Sequence, residues 1–462
     1  MACPTTWTLH SIGLNDKKDT VFALIFSGQH KVIAGVKRVG RDPQNFEDAI
    51  LSMYDDQMEG TARDRREHAE KTLLAAIAES EKMRDFNRAA LRSSSVLWIS
   101  TRDGGPRAQL IEDTDAYSFF TSCLSPSHGI VPAKDGEKPI PLPNKLVPYE
   151  KIQYDRPINS WRMTSSKASI PADPEAEFVY KGVTFYQFLV MGVDKFRQEM
   201  RPCYREIQMV NYHLERHPGL IPPAEHLVVV PASEDSSEQL VVGSLYRWLE
   251  GGALGDFIDK SVREDRPISL ARRAEWCHQL CSAVADVHHR SRAWHQDIKP
   301  GNILIDDSNQ LKLCDWEQWG GAHFVRAPEV NQELDVHETG ETVNGRKQLK
   351  YSQYEGASRQ NSPVDPYWNV YPGWMETCPL AAELGEVYSL GKTLWVLLDQ
   401  VVREEDPMIS DYTTIKVCWR STDLPKSWTD IVDAAIAEDP NARPRLSELV
   451  RFWEQEKSSL PL

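Results

Sequence analysis

The sequence predicts an α+β chain of two lobes, a small β-rich part over 146–250 and a larger, mainly helical part over 251–457. A further α+β region, 1–145, precedes them. Three observations predict this. A length of 462 residues exceeds one ordinary domain and fits two or three. Strand-like apolar runs dominate from about Tyr149 to Leu249, broken by one helix around Pro202 to Leu214, whereas the chain beyond Gly251 is mainly helical. Hydrophobic residues make up 41% of the chain, enough for more than one core. A β-rich layer followed by a helical one implies two lobes with a cleft between them.

In the first region Val21 to Phe26 and Lys31 to Val36 read as strands. A charged helix is expected from about Thr61 to Leu91, with Leu73, Leu74, Ile77 and Leu91 on one face. Arg63, Arg65 and Arg66 alternate there with acidic residues, which marks a solvated face rather than a binding patch. Val96 to Ser100 reads as a strand ended by the turn Asp103-Gly104-Gly105-Pro106. The Pro- and Lys-rich stretch from Pro132 to Pro148 reads as a linker. The role of 1–145 stays open between regulation, recruitment of a regulatory partner and bracing of the small lobe.

Charge and cysteine use narrow the class. With 53 Lys+Arg against 68 Asp+Glu the net charge is −15, which disfavours nucleic acid and anionic membranes as partners. No apolar stretch reaches the ~20 residues needed to cross a bilayer, and Met1 to Thr8 lacks a signal-peptide pattern. Cys277 and Cys281 stand one helical turn apart, but no second ligand pair lies near them in sequence. Reduced thiols in an intracellular, cytoplasmic protein are the expectation.

The strongest chemical signal is His295-Gln296-Asp297-Ile298-Lys299-Pro300-Gly301-Asn302-Ile303-Leu304-Ile305, followed by Leu313-Cys314-Asp315-Trp316-Glu317. A turn between a helix and a strand also uses Asp, Pro, Gly and Asn, so one such run alone has a bland explanation. Eighteen residues separate Asp297 from Asp315, and a short strand, Leu311 to Cys314, delivers the second aspartate.

These two runs resemble the catalytic loop and metal-binding motif of the protein-kinase family. Tyr204-Arg205-Glu206 ahead of His217-Pro218 is similar to the family's αC helix, and Leu240 to Leu254 to its fifth strand, hinge and E-G-G-x-L turn. Arg326-Ala327-Pro328-Glu329, Glu386 to Gly391 and Asn441-Ala442-Arg443-Pro444 are similar to later kinase motifs, in the right order. The resemblance spans about 150–455, and the spacing and Trp-rich wording around Trp374 to Trp395 also resemble divergent kinase-like proteins of filamentous fungi.

The resemblance implies ATP and Mg²⁺ as cofactors and a hydroxyl-bearing protein substrate. Asp297 is expected to accept the hydroxyl proton and Lys299 to neutralise the transferring phosphate. Asn302 and Asp315 supply hard oxygen ligands for the metal. Glu206 is expected to pair with Lys181, for which Lys195 is the rival, and Val179, sharing the strand face of Lys181, to roof the adenine. Hinge backbone groups are expected near Arg247 to Leu249, and Arg443 is expected to pair with Glu329. Lys299 and Asn302 favour the Ser/Thr branch.

The chain departs from the pattern in three places. No glycine lies between Ile152 and Glu177, where the family carries a glycine-rich loop over the phosphates. Asp-Trp-Glu replaces Asp-Phe-Gly, with Trp316 expected between His295 and Val210 and Glu317 either an added ligand or turned outward. Gln296 replaces an arginine that receives an activating phosphate, and no hydroxyl residue lies from Trp316 to Pro328. Three readings follow: an active protein kinase, a pseudokinase serving as a nucleotide-binding or interaction module, and a small-molecule kinase. Control is expected in 1–145 or in the insertion Val330 to Gly385.

Overall fold

The computed structural model describes residues 7–27, 30–38, 46–51, 62–82, 94–102, 105–130, 145–159, 164–233, 236–318, 325–331, 333–343, 345–356, 370–402 and 417–460. The chain divides into two compact units, 1–204 with 224–248 and 205–223 with 249–462.

The first unit opens with β1 (Thr8–Leu14), β2 (Thr20–Ser27), β3 (His30–Lys37), α1 (Phe46–Leu51), α2 (Ala62–Lys82), β4 (Ser95–Arg102) and β5 (Gly105–Glu112). The strands form one sheet in the order β1-β2-β3-β4-β5, antiparallel except between β3 and β4. Alternation explains its inner face: Val21, Ala23 and Ile25 on β2 and Val32, Ala34 and Val36 on β3 join Leu73 and Ile77 of α2 in one core. The strand expectations for this region hold. The expected helix is described only to Lys82, and Leu91 lies outside the described residues.

Next come α3 (Thr114–Ser122), β6 (Ser125–Pro126), α4 (Ser127–Ile130), β7 (Lys145–Pro148), β8 (Gln153–Asn159), β9 (Thr164–Ile170), β10 (Asp173–Gly182), α5 (Phe185–Met191), α6 (Val193–Gln208), β11 (His226–Pro231) and β12 (Gln239–Arg247). The second sheet runs β7-β11-β12-β10-β9-β8, with β6 added beside β12. The expected linker therefore ends in a strand, because Leu146 and Val147 pair with Leu227 and Val228 of β11. The boundary expected after residue 145 falls inside this unit, since β6 and β7 belong to the same sheet as β10.

The extra segment Thr184 to Met200, expected either to lengthen the helix around Pro202 or to precede it, does both: α6 starts at Val193 and α5 stands ahead of it. The run Phe185 to Met191 has β-forming residues, yet Thr184 and Gln187 cap it reciprocally as a helix, and Phe185 and Phe188 bury against Phe120. Gly192, at φ +75°, separates α5 from α6. A π-turn, Met209–His213, follows α6.

The second unit contains the end of α6 and then α7 (Leu254–Arg263), α8 (Leu270–His289), β13 (Ile303–Ile305), β14 (Leu311–Leu313), β15 (Leu334–Val343), β16 (Arg346–Gln353), α9 (Tyr371–Thr377), α10 (Pro379–Asp399), α11 (Lys426–Ala435) and α12 (Leu446–Ser459). Residues 205–223, expected with the small lobe, belong here because Leu313 exchanges backbone bonds with Gly219 and Ile221. Helix α8 buries Trp276, Cys277, Leu280, Cys281, Val284 and Val287 at helical spacing, and burial raises both thiols. Helix α10 is buried along nearly its whole length, so it forms the core of this unit. The segment Val330 to Gly385 holds the β15–β16 hairpin, α9 and the first turns of α10. Leu349 of the hairpin exchanges two bonds with the Asn441 side chain, at 2.7 and 3.0 Å. Among the described residues no helix is long and apolar enough to cross a membrane.

Candidate active site

The loop after α8 hangs from α10 by one carboxylate. Glu386, fully buried, accepts the backbone N–H of His295 at 2.8 Å, that of Gln296, and the His288 side chain at 2.6 Å. Burial alone would push the Glu386 carboxyl up, but the His288 hydrogen bond and neighbouring histidines outweigh it and hold the group below its usual value. His295 then ties the loop to the next strand. Its Nδ1 accepts the Asp297 N–H at 3.2 Å and its Nε2–H donates to the Cys314 carbonyl at 2.8 Å, which fixes the tautomer. Gln296 (φ 78°) and Asp315 (φ 71°) are both left-handed, a conformation costly for side-chain-bearing residues and concentrated at functional sites.

Three expected residues come together on this loop. Lys299 Nζ lies 2.5 Å from Asp297 Oδ2, and Asn302 Nδ2 donates to the same oxygen at 2.9 Å and to the Asp297 carbonyl at 2.9 Å. Asn302 is buried, and its own carbonyl accepts the Cys314 N–H at 2.9 Å. The Asp297 carboxylate is thereby fixed in direction, while its side chain keeps 16% exposure. A group so placed and still reachable can receive a proton from a docked hydroxyl.

At the end of β14 the chain delivers Asp315. Its carboxylate lies with those of Glu206 and Glu317 in one group whose ligand oxygens are all within 4.8 Å of one another. Such a set of hard oxygen donors suits Mg²⁺ or a similar divalent cation. Trp316 is fully buried, edge-on to the His295 ring at 4.5 Å, and donates its Nε1–H to the Leu313 carbonyl at 3.2 Å. The expected contact of Trp316 with His295 is present.

The remaining expected residues fall as follows. On β10, Val179 and Lys181 share one half-buried face while Phe178 and Tyr180 bury on the other. Lys181 pairs in register with Ser244, beside the Gly182–Gly243 crossing, where an added Cβ at Gly182 would lie 2.4 Å from the Val242 oxygen. The rival Lys195 is exposed on α6. Arg247 ends β12, with its guanidinium forked onto Glu225 at 2.9 and 3.1 Å, and Leu249 opens the second unit. The Trp248 N–H is committed to the Glu177 carbonyl at 2.9 Å. Residues 160–163, between β8 and β9, lie outside the described residues.

Sequence reasoning missed one arrangement. Arg205 Nε donates to Gln318 Oε1 at 2.8 Å, Gln318 Nε2 donates to the Trp294 carbonyl, and the Arg205 guanidinium stands 6.0 Å over the Trp294 ring. Arg205 and Gln318 are 113 residues apart, and nothing in their spacing announces the contact. The adjacency of Arg205 to Glu206, and of Gln318 to Glu317, was the only available clue.

A family model described as Protein kinase domain matches residues 197–335. The chain carries a divergent protein kinase domain of the eukaryotic type. The matched stretch includes Glu206, Arg247, Leu249, Asp297, Lys299, Asn302 and Asp315, and leaves out Val179, Lys181, Glu386 and Arg443. Among curated relatives, the chain is 28% identical over 158 residues to the probable serine/threonine-protein kinase FMP48 of Saccharomyces cerevisiae, covering 33% of this chain and 37% of that one. It is 24% identical over 247 residues to serine/threonine-protein kinase ksg1 of Schizosaccharomyces pombe, covering 51% and 35%. It is also 33% identical over 124 residues to CBL-interacting serine/threonine-protein kinase 16 of Arabidopsis thaliana, covering 27% and 23%. Each match spans well under two thirds of the relative's length. The fold class is thus the α+β protein-kinase fold, with an additional N-terminal α+β region.

Proposed function

We propose that this chain is an ATP-dependent protein kinase that transfers the γ-phosphoryl group to Ser or Thr hydroxyls of protein substrates. One observation carries the proposal: a reachable Asp297 carboxylate, oriented by Lys299 and Asn302, on a loop tied through His295 to the strand that delivers Asp315. Phosphoryl transfer asks little covalent chemistry of the protein and much positioning, which this loop supplies. Asp297 orients the acceptor hydroxyl and takes its proton as the new O–P bond forms and the bond from the γ-phosphorus to the β,γ-bridging oxygen breaks, with ADP leaving. Lys299 offsets charge on the moving phosphoryl group. A bound Mg²⁺ would neutralise the phosphate oxygens, with Asp315 and Asn302 as its expected ligands and Glu317 within reach of the same place. On the strand side, Lys181 is assigned to the phosphates, Val179 to the adenine, and the backbone from Arg247 to Leu249 to the adenine edge. A protein partner acting on 1–145 and a cytoplasmic setting complete the proposal.

A second reading, a pseudokinase that binds nucleotide without turnover, is favoured by the absence of glycine between Ile152 and Glu177 and by Glu317 in place of glycine. Incubation with γ-labelled ATP and Mg²⁺, with a generic protein substrate, with the protein alone and with a cell extract, separates the readings. Label on protein that disappears in Asp297→Asn supports the kinase. Label on small molecules only points to a small-molecule kinase, and nucleotide binding without any label supports the pseudokinase.

A further inference from the structure

The first sheet is buried on both of its faces. Along β2, Val21, Ala23 and Ile25 share a core with α2, yet the alternate residues Phe22 and Leu24 are also buried, at 5% and 3% exposure. The second face meets the second sheet and α5 of the same unit. His10 Nε2 on β1 lies 2.9 Å from Ser166 Oγ on β9. The Phe26 ring at the end of β2 stacks on Tyr154 of β8, at 5.3 Å and 14°. On β3, Lys31 Nζ donates to the Tyr149 carbonyl at 2.6 Å and stands over the rings of Tyr149 and Tyr154, a placement ring faces favour for an ammonium. Close backbone approach adds to the seam, since a Cβ at Gly13 of β1 would lie 3.0 Å from Val190 and 3.1 Å from Tyr186 of α5. Burial pushes the His10 imidazole down to about 4, so at neutral pH it serves the seam as an uncharged hydrogen-bonding group.

This seam leads directly to the strand that carries Lys181. The rings of Tyr154 and Tyr149 stand 5.5 and 6.0 Å from that of Tyr180 on β10. Ser166 pairs in register with Tyr180, and Tyr154 with Ala168, so these side chains occupy one face of the second sheet. Tyr180 is fully buried and its hydroxyl donates to the Val183 carbonyl at 2.7 Å. Lys181, the next residue, lies on the opposite face.

We propose that the first sheet is a built-in brace for β10: Lys31 and Phe26, acting through Tyr149, Tyr154 and Tyr180, hold that strand so that Lys181 stands in place for the ATP phosphates. The proposal rests on the assignment of Lys181 made above. A site formed in only a fraction of the molecules binds more weakly by that fraction, so a fixed strand raises affinity without touching the ligand. The need is large in this chain. It has no glycine between Ile152 and Glu177 to bring backbone N–H groups close to phosphate, which leaves more of that task to Lys181. Lys31 and Phe26 are positioning residues, since they reach the nucleotide only through β10.

The test uses the full chain, hydrogen exchange read by mass spectrometry, and ATP in excess EDTA as the probe, so that no metal contributes to binding. Lys31→Met keeps the stem and removes the donor, and Phe26→Ala removes the stacked ring. Each is expected to speed exchange over Phe178 to Gly182, to leave that of α8 unchanged, and to weaken ATP binding about tenfold, as when the competent fraction falls to about one tenth. Leu73→Ala, a cavity on the α2 side of the same sheet, should lower the melting temperature and leave ATP affinity as in the wild type. Wild-type ATP affinity in Lys31→Met, or equal weakening in Leu73→Ala at a matched loss of melting temperature, would overturn the brace. If Lys31→Met does not fold, Phe26→Ala decides by the same readings. Lys181→Met separates the two levels. Wild-type ATP binding there sinks the nucleotide assignment itself, and unchanged exchange of β10 in Lys31→Met then sinks the brace as well.

Discussion

Arg443 grips Glu329 with two prongs, Nη1 to Oε1 at 2.5 Å and Nη2 to Oε2 at 3.0 Å, and its side chain has no solvent exposure. Nη1 also donates to the Leu384 carbonyl at 3.0 Å and Nε to that of Ala437 at 2.8 Å, so the guanidinium fastens the end of the activation segment to α10 and to the turn before α12. Removing one partner leaves the other charge buried. Arg443→Ala is expected to cost about 3–5 kcal/mol in denaturant unfolding. Glu329→Gln combined with Arg443→Met should cost less than the sum of the single changes. Unfolding of Arg443→Ala at the wild-type midpoint would remove the pair from the stability account.

The Glu386 anchor predicts an acid limb. Its folded pKa lies below the ordinary 4.5, so its contribution is present above about pH 4.5 and is lost as the pH falls through the lower folded value. Glu386→Gln should flatten that limb and lower stability at pH 7 by about 1.5–3 kcal/mol, the scale of hydrogen bonds to a charged acceptor. Urea midpoints from pH 3 to 7 check both. An unchanged acid limb in the variant contradicts the assignment.

Lys31 makes a prediction for the alkaline range, in the first unit. Its Nζ donates to the Tyr149 carbonyl at 2.6 Å and stands over the rings of Tyr149 and Tyr154 at 4.1 and 4.7 Å. Burial pushes its ammonium down to about 7, against an opposing effect of Glu150. Between pH 7 and about 10.5 the unfolded chain binds the extra proton, so stability should rise with pH across that window, by at most about 1.4 kcal/mol per unit. Melts of wild type and Lys31→Met from pH 7 to 10 test this. The variant should lose the slope, and an equal slope in both would show that another group is responsible.

Much of the site could be read in advance because its chemistry sits in short, fixed spacings. Asp297, Lys299 and Asn302 occupy one turn, and a strand–turn–strand puts Asp315 at the next strand's end. The Arg443–Glu329 pair was readable through its motifs. What escaped depended on tertiary context. Whether Thr184 to Met200 lengthens or precedes the αC-like helix stayed open in the sequence, because Phe185 to Met191 has β-forming side chains and folds as a separate helix only through its cap and its contacts with Phe120. Leu146 and Val147 stand among prolines that signal a linker, yet an open edge of β11 takes them as a strand. The Arg205–Gln318 contact joins residues that no local pattern connects.

The metal assignment predicts joint stabilisation by ATP and Mg²⁺. At 100 times its Kd a ligand raises stability by roughly 2.7 kcal/mol. Millimolar ATP with Mg²⁺ should therefore raise the melting temperature more than ATP in EDTA, and Asp315→Ala should abolish the difference. An identical Mg²⁺-dependent shift in Asp315→Ala would move the metal elsewhere.

The central claim is that Asp297 serves the chemistry and not the binding of nucleotide. The most direct measurement compares label transfer from ATP to protein by wild type and Asp297→Asn, with Mg²⁺-ATP affinity determined on the same samples. Asparagine keeps the shape and an acceptor for Lys299 but cannot take a proton at neutral pH. The account predicts near wild-type affinity with turnover reduced at least about a hundredfold, the lower end of what a positioned general base contributes. Equal turnover in the two proteins, whether measurable or absent from both, would contradict it.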